Sequence, residues 1–511
     1  MQGVLGLVLN LIIDTSYSWV RMFIALGISV FIAFVIGIYM ALSRTAERYL
    51  MPIIDILQTV PILAFFPFAI YVIVGLLPGV IGINFAVIFL IITSMLWNII
   101  FGVYESIKTL PEEFNELSKL YNMGFLQKIK KIFIPASLPR IVEQSMLSWS
   151  IGLFYLVSSE IFSTGNANYS VKHGIGVAVT ELAASGNTYG YIIALIVFLI
   201  FVIATRFLFF GPLESYVNKH RKGRPEKVSF FKEMKLRSIR KYERYAKKEE
   251  KVLIKAFSKI KFGKHKEHTA KTSKSSRTST IFYVSFAVLL TFILLFVTGL
   301  LNSEIMVLEE LAASILRVWV AFFAFSVVSI LISVYIIFMA KNESRYITLF
   351  QILAAIPATI LLPELVNLFG SGTYGPEIVA FLIFFLSGIW YMIFSMVGAG
   401  KTLQSNVFEV KKIFGVRGIN SWKKIYVMAL LPGIITGGIT AIAAEWNASI
   451  LAESFGNTHV TYGIGRFLDI TLSNGNLLLM GIALINLVVM IIIINKVLWK
   501  RLYDKAALVY K

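Results

Sequence analysis

Cysteine is absent from the 511 residues, which excludes disulfides, thiolate metal ligands and thiol nucleophiles and leaves the redox compartment unmarked. Charge is scarce too: Asp, Glu, Lys and Arg make up 15% of the chain, against about 25% in soluble domains. The five histidines show no metal-ligand spacing, since His173 stands alone and three others lie in the basic stretch 218–280. No nucleophile–base pair or metal constellation can be assembled, so an enzyme acting within the membrane lacks a chemistry. Apolar residues fill the space, at 57% of the chain with a mean hydropathy of +0.78. Such a composition describes a membrane-embedded protein rather than a large soluble core. The opening "MQGVLGLVLNLIID" has neither a basic n-region nor a small-residue cleavage site, so it does not read as a signal peptide.

A net charge of +20 suggests nucleic acid until it is located. Residues 218–280 carry 22 Lys and Arg against 6 Glu, a local charge of +16. Basic blocks beside membrane spans are most often cytoplasmic segments near anionic lipid, and no nucleic-acid-binding module accompanies this one. Membrane lipid is therefore the expected contact, and no nucleic acid.

A span needs roughly 20 mostly apolar residues. Spans are expected near 18–42, 51–77, 80–104, 139–163 and 190–212, then 281–301, 318–340, 346–369, 377–398, 430–453 and 477–498. The count is eleven, five then six, with twelve as the alternative. The first 13 residues are too short for a span and are expected to lie in the interface as an amphipathic helix. Basic loops containing Arg44, Arg48, Lys341 and Arg345, the runs "LQKIKK" and "WKK", and the 218–280 stretch mark the cytoplasmic side. The reading is a multi-pass protein of the cytoplasmic (inner) membrane.

Ordered self-similarity settles the architecture. Arg21, Pro61 and Pro67 recur as Arg317, Pro357 and Pro363, displaced by 296. Lys-Thr-Leu at 108–110 recurs at 401–403, and Glu116, Pro139 and Glu160 recur as Glu409, Pro432 and Glu453, displaced by 293. Gly-Ile-Gly at 174–176 returns at 463–465, and Gly186-Asn187 returns as Gly475-Asn476, displaced by 289. The chain thus divides into a first transmembrane domain (1–217), a basic cytoplasmic linker (218–280) and a second transmembrane domain (281–511). Two parallel all-α repeats suit a transporter with a path between them.

The repeat also disposes of a decoy. "SMVGAGKTLQ", residues 395–404, ends like a phosphate-binding loop. Such a loop needs Gly five residues before the Gly-Lys pair, between a strand and a helix; position 395 is Ser, after a membrane span. The counterpart Lys108-Thr109-Leu110 is preceded by "YESI", with no glycine. A glycine-softened helix end at the cytoplasmic face is expected, and the chain is not its own ATPase.

Two segments carry the functional signal: "EEFNELSKLYNMGFLQKIKKIFIPASLPRI" and "NVFEVKKIFGVRGINSWKKIYVMALLPGII". Each sets a Glu 23 residues before a Pro, in the order helix, turn, basic amphipathic helix, Leu-Pro. Gly and Asn tolerate the left-handed backbone that such a turn requires, and Pro139 and Pro432 are expected to stop the amphipathic helix before the next span.

At these residues the sequence resembles the inner-membrane permeases of ATP-binding-cassette (ABC) importers, whose signature is Glu-Ala-Ala, Gly six residues after the Glu, then Ile-x-Leu-Pro. Glu409, Gly415 and Pro432 fit that spacing; in the first half Glu116 and Pro139 fit, with Asn122 in the glycine place and Gly124 two residues later. Neither half keeps both alanines, and Met428 stands where the first half has Pro135. The resemblance covers nearly all of the chain except the linker, and looks most like the nitrate, sulfonate and taurine group. It implies two copies of a cytoplasmic ATPase docking at these knobs, an extracytoplasmic binding protein, no cofactor of its own because ATP is used by the partner, and a small oxyanion or organic sulfonate as substrate. A secondary transporter or channel driven by an ion gradient is the alternative, its intramembrane carboxylates then carrying the ion.

Pathway candidates come from rarity. Glu160 and Glu453 lie 21 residues after the knob prolines, near the extracytoplasmic end of a span, where an ionisable group is functional by default. Glu445 has Gly152 as its counterpart and would make the pathway asymmetric. Pro61, Pro67, Pro357 and Pro363 are expected to bend spans lining the pathway.

Overall fold

A computed structural model describes residues 2–59, 61–164, 171–220, 301–340, 342–414, 418, 421–455 and 460–494. Every element among them is helical. The first repeat runs α1 (Gln2–Leu42), α2 (Arg44–Thr59), a 3₁₀ turn (Ile62–Phe65), α3 (Phe66–Leu76), α4 (Val80–Lys108), α5 (Glu112–Leu120), α6 (Phe125–Lys128), a π turn (Ile129–Phe133), α7 (Ile134–Thr164), α8 (Ile175–Ala184), α9 (Thr188–Ala204), a π turn (Thr205–Phe210) and α10 (Gly211–His220). The second runs α11 (Leu301–Val334), a π turn (Tyr335–Met339), α12 (Glu343–Ala354), a 3₁₀ turn (Ala358–Leu361), α13 (Leu362–Phe369), α14 (Gly375–Phe414), a π turn (Trp422–Tyr426), α15 (Val427–Ser454), α16 (Ile464–Ser473) and α17 (Leu477–Ile494). Met1–Ser215 and Asn302–Lys511 form one compact unit, so the two repeats fold together. Tyr216–Leu301 forms another, most of which lies outside the described residues, as do the basic linker beyond His220 and the expected span 281–301.

Seven described helices are long and apolar enough to cross a membrane, and α12 with α13 makes an eighth as a pair bent by 65°. Of the other expected spans, 139–163 falls on α7 and 51–77 on α2, the 3₁₀ turn and α3.

Residues 2–13 do not lie apart in the interface. They continue into α1 as one helix of 41 residues, roughly 60 Å at 1.5 Å per residue. No Gly or Pro interrupts "NLIIDTSYSWV", and Leu11, Thr15, Ser18 and Met22 form a buried stripe at helical spacing across the supposed boundary.

Pro139 and Pro432 do not stop a helix either: both lie inside α7 and α15. Proline removes only the donor to the carbonyl four residues back, and membrane helices re-satisfy such gaps locally. One turn upstream in each repeat sits a π turn, Ile129–Phe133 or Trp422–Tyr426, which has already shifted the hydrogen-bond register. The second π turn forms without a proline at Met428, so Pro135 does not cause the first.

Helices pack closely through small residues, as expected where lipid supplies no hydrophobic drive between them. A Cβ on Gly433 would stand 2.6 Å from Met396 Cα of α14, and one on Gly437 would stand 3.0 Å from Met392 Cα.

Candidate functional site

The prolines six residues apart build two broken helices. Pro357 holds an extended backbone (φ −60°, ψ 133°) that ends the helical run, and Pro363 sits in the first turn of α13, where a missing N–H costs nothing. Pro61 and Pro67 flank the first repeat's 3₁₀ turn in the same way. Irregular backbone at membrane depth must find polar partners inside the protein. Here the partners come from the other repeat. Asn447 of α15 accepts the Ile62 N–H through Oδ1 at 2.9 Å, and the Tyr191 hydroxyl of α9 donates to the Ile360 carbonyl. Asn367 of α13 donates to the Ala183 carbonyl at the end of α8 at 2.6 Å, and Thr188 donates to Glu364 at 3.1 Å. The 3₁₀ turn of each repeat packs on the central helix of the other, Ile62–Phe65 on α15 and Ala358–Leu361 on α7.

Glu160 and Glu453 occupy two matching buried clamps. Glu160 is fully buried and accepts from Arg21 Nη1 (2.6 Å), Ser18 Oγ (2.7 Å) and the Gly176 N–H (2.9 Å). Ser18 Oγ in turn accepts from the Ile175 N–H at 3.0 Å. The carboxylate and Ser18 thus satisfy one N–H group each at the N-terminus of α8, where the helix dipole favours an anion. Arg21 completes its fork on Asn84 Oδ1 (2.8 Å) and the His173 carbonyl (2.7 Å). In the second repeat Glu453 accepts from Ser314 Oγ (2.7 Å), Arg317 Nη1 (3.1 Å) and the Gly465 N–H (2.9 Å), and Ser314 accepts from the Ile464 N–H (2.9 Å).

Gly-Ile-Gly recurs because the carboxylates leave no room for side chains. A Cβ on Gly174 would lie 2.5 Å from Glu160 Cδ, and one on Gly463 would lie 2.7 Å from Glu453 Oε2. The clamps differ at their rims. Arg317 also pairs with Glu377, where the first repeat has the neutral Asn84, and Glu310 binds Arg466 and the Gly463 N–H. Each clamp joins the entry helix, the central helix and the short helix α8 or α16 of its own repeat. α8 packs on α13 and α16 on α3, so each clamped helix reaches the other repeat's broken element.

The knobs are built differently. In the first repeat α4 ends at Lys108, Pro111 follows, and α5 is a separate helix carrying an exposed Glu116. The Met123 N–H bonds back to the Ser118 carbonyl at 2.9 Å around Asn122, whose φ of +45° is left-handed. This is a helix C-cap of the kind usually held by glycine. Gly124 takes no such conformation; it is the extended residue before α6. In the second repeat no proline intervenes, and α14 runs unbroken for 40 residues through Glu409 to Phe414. Gly415 lies outside the described residues. Gly400-Lys401-Thr402 is no helix end, because α14 continues beyond it; a Cβ on Gly400 would stand 2.5 Å from Ile337 Cδ1 and 2.8 Å from Leu430 Cδ2. That glycine serves helix packing.

The Lys-Thr-Leu repeat has a visible role in the first half. Lys108 pairs with Glu47 of α2, which also accepts from the Tyr104 hydroxyl at 2.7 Å. Hydrogen bonds from Lys108 and then Tyr104 hold the Glu47 carboxyl below the ordinary carboxylate range.

The family model described as "Binding-protein-dependent transport system inner membrane component" matches twice, over residues 33–210 and 344–503. The chain belongs to this family. Each match falls on a different structural repeat, so the protein carries two family domains in one chain and is a transmembrane permease of the cell membrane. Similar curated proteins include the "Bicarbonate transport system permease protein CmpB" of Synechococcus elongatus, 24% identical over 160 residues, 31% of this chain and 55% of that protein. The "Nitrate import permease protein NrtB" of Leptolyngbya laminosa is 25% identical over 161 residues, 32% of this chain and 53% of that protein. The NrtB of Synechocystis is 24% identical over 201 residues, 39% and 67% respectively. The chain thus spans about half the length of the first relatives it matches.

Several residues of the clamps and the seam escaped sequence reading. Ser18 and Ser314 stand at the 296-residue offset, so the repeat itself could have found them. Asn84 and Glu377 differ in identity, and only the shared Arg contact pairs them. Asn447 and Tyr191 have no counterpart of their own kind. Glu445, by contrast, was singled out; it is buried in α15, two turns before Glu453, and takes part in neither clamp.

Proposed function

We propose that this permease forms the translocation pathway of an ABC importer and couples it to two copies of a separate cytoplasmic ATPase. An extracytoplasmic binding protein delivers substrate, and the chain needs no cofactor because ATP is consumed by the partner. One observation carries the reading. Each repeat has its own knob on the side expected to be cytoplasmic, while each repeat's broken helix is capped by the other repeat. A stroke applied at two knobs therefore has a structural route to the seam between the repeats. Nucleotide-driven closure of the ATPases draws the knobs together, shifts the α4–α5 hinge and the α14 rod, and rearranges the broken elements to open the pathway outward. Hydrolysis resets them and releases substrate inward.

The substrate is a small oxyanion, bicarbonate or nitrate in kind. The relatives' names support this, and the seam suits it. Thr436, Thr440 and Asn447 share the face of α15 that meets the first repeat's 3₁₀ turn. These neutral groups add no buried cation that would trap an anion, and in this arrangement their donors bond carbonyls of α15 itself.

Uptake into proteoliposomes tests the proposal. They would hold the chain, its ATPase and its binding protein, and be offered labelled bicarbonate, nitrate or taurine. ATP-dependent accumulation of one of the inorganic anions is expected. Accumulation of neither inorganic anion, from an assembled and ATP-hydrolysing complex, would refute the substrate class; accumulation without ATP would refute the coupling.

A further inference from the structure

Three carboxylates lie fully buried in the central helices, and two of them are explained. Glu160 and Glu453 each have an arginine, a serine and a backbone N–H. Glu445 is equally buried, yet neither of its oxygens has a hydrogen-bond partner among the described residues. Ionised carboxylates in such a place are among the most costly groups a membrane protein can hold.

Among the described residues its surroundings offer no charge to compensate. α11 carries no titratable residue between Arg317 and Tyr335, and α14 carries only Tyr391 between Glu377 and Lys401. The 3₁₀ turns packed on α15, Ile62–Phe65 and Ala358–Leu361, carry none. On α16 Arg466 is engaged with Glu310, and Asp469 lies a further turn along. On α15 itself the next ionisable group is Glu453, already clamped.

The repeat shows that this carboxyl is a local departure, compensated around it. Its counterpart Gly152 has no side chain, and a Cβ there would stand 2.2 Å from Met95 Cε and 3.2 Å from Met22 Cε. In the second repeat those methionines correspond to Gly388 and Val318, which frees side-chain volume where the acid was added. Part of that volume goes to Phe325, whose ring lies 2.5 Å from where a Gly388 Cβ would stand. One layer of the helix packing has been rebuilt with a carboxyl in it.

We propose that Glu445 is a proton-binding site buried in the second repeat, occupied in the arrangement seen here and linked to the packing of α15 against α11 and α14. The neutral acid fits the apolar layer, whereas the ionised one favours any arrangement that brings it water or a donor. Loss of the proton therefore opposes this arrangement in the second repeat, and the first, with Gly152, has no such sensitivity. The inference does not depend on an ATPase or on the substrate.

The test uses the full-length chain in lipid nanodiscs. Infrared spectra of wild type should show a protonated carboxylic C=O stretch at pH 7 that is missing from Glu445→Gln and fades as pH rises. Thermal unfolding supplies the second readout. Wild type and Glu445→Gln should melt together in acid, and wild type should fall progressively below the variant as pH rises. The sign follows from linkage: a proton held in the folded form and released on unfolding makes stability fall as pH rises. If Glu445→Gln does not assemble, Glu445→Ala, which approaches the small residue of the first repeat, takes its place. Absence of the protonated band, or parallel melting profiles for wild type and variant at every pH, overturns the proposal.

Discussion

Replacing Arg21 with methionine tests how the permease scaffold is held. The side chain is buried, and its guanidinium serves Glu160, Asn84 and the His173 carbonyl at 2.6–2.8 Å. Methionine keeps much of the volume and removes all three bonds. Glu160 would retain Ser18 and the Gly176 N–H but lose the Arg21 cation beside it. Breaking a buried pair by removing one partner typically costs about 3–5 kcal/mol, because the remaining charge stays desolvated. Arg21→Met should fall in that range, and Glu160→Gln somewhat below it, since Arg21 keeps Asn84 and the His173 carbonyl. The double variant should cost clearly less than the two singles added, because neither charge is then stranded. The assay is reversible unfolding of the purified chain in mixed micelles, followed by tryptophan fluorescence, with Trp19 buried beside the clamp. Lys108→Gln is the control: Lys108 is 41% exposed and Glu47 29%, so that change should cost no more than about 1 kcal/mol. A buried-pair variant no worse than the Lys108 control, or a double variant equal to the sum of the singles, would refute the clamp.

Three further outcomes are expected. Asn447→Ala should weaken the seam by about 1–3 kcal/mol, the cost of stranding the part-buried Ile62 N–H, read as faster crosslinking or proteolysis at residues 61–65; an unchanged rate contradicts the cap. Asn122→Gly should be tolerated, while Asn122→Val, a β-branched residue forced to φ +45°, should lower binding-protein-stimulated ATP hydrolysis in the reconstituted complex; equal activity of the two would remove Asn122 from the coupling turn. Co-expressed chains 1–225 and 275–511 should retain transport at reduced assembly, because the described contacts that join the repeats lie outside the linker; complete loss with both halves inserted would give the linker a function.

Much of this was legible in the sequence because the duplication marks it twice. Arg21, Glu160 and Gly-Ile-Gly sit far apart along the chain, yet each has a copy at a nearly constant offset, and the structure draws them into one clamp. Periodicity and hydropathy located the spans that fall among the described residues. What they could not show is continuity. Pro139 and Pro432 look like helix stops, but a proline removes one donor, and the π turns before them leave the helix intact. Gly400 looks like a softened end, but in a membrane protein glycine also marks close helix approach. Residues 2–13 look too short to matter, and they extend α1 because nothing interrupts the buried stripe. The contacts between repeats were invisible for another reason: Asn447 to Ile62 and Tyr191 to Ile360 join residues with no matching partners in the other repeat.

Native mass spectrometry of the complex purified through a tag on this chain tests the central claim most directly. The account predicts one copy of the chain bound to two ABC-type ATPase subunits, lost together when Glu116 and Glu409 are both replaced by lysine. A chain recovered without any ATPase, from membranes that still accumulate the substrate under a proton or sodium gradient and without ATP, would contradict it.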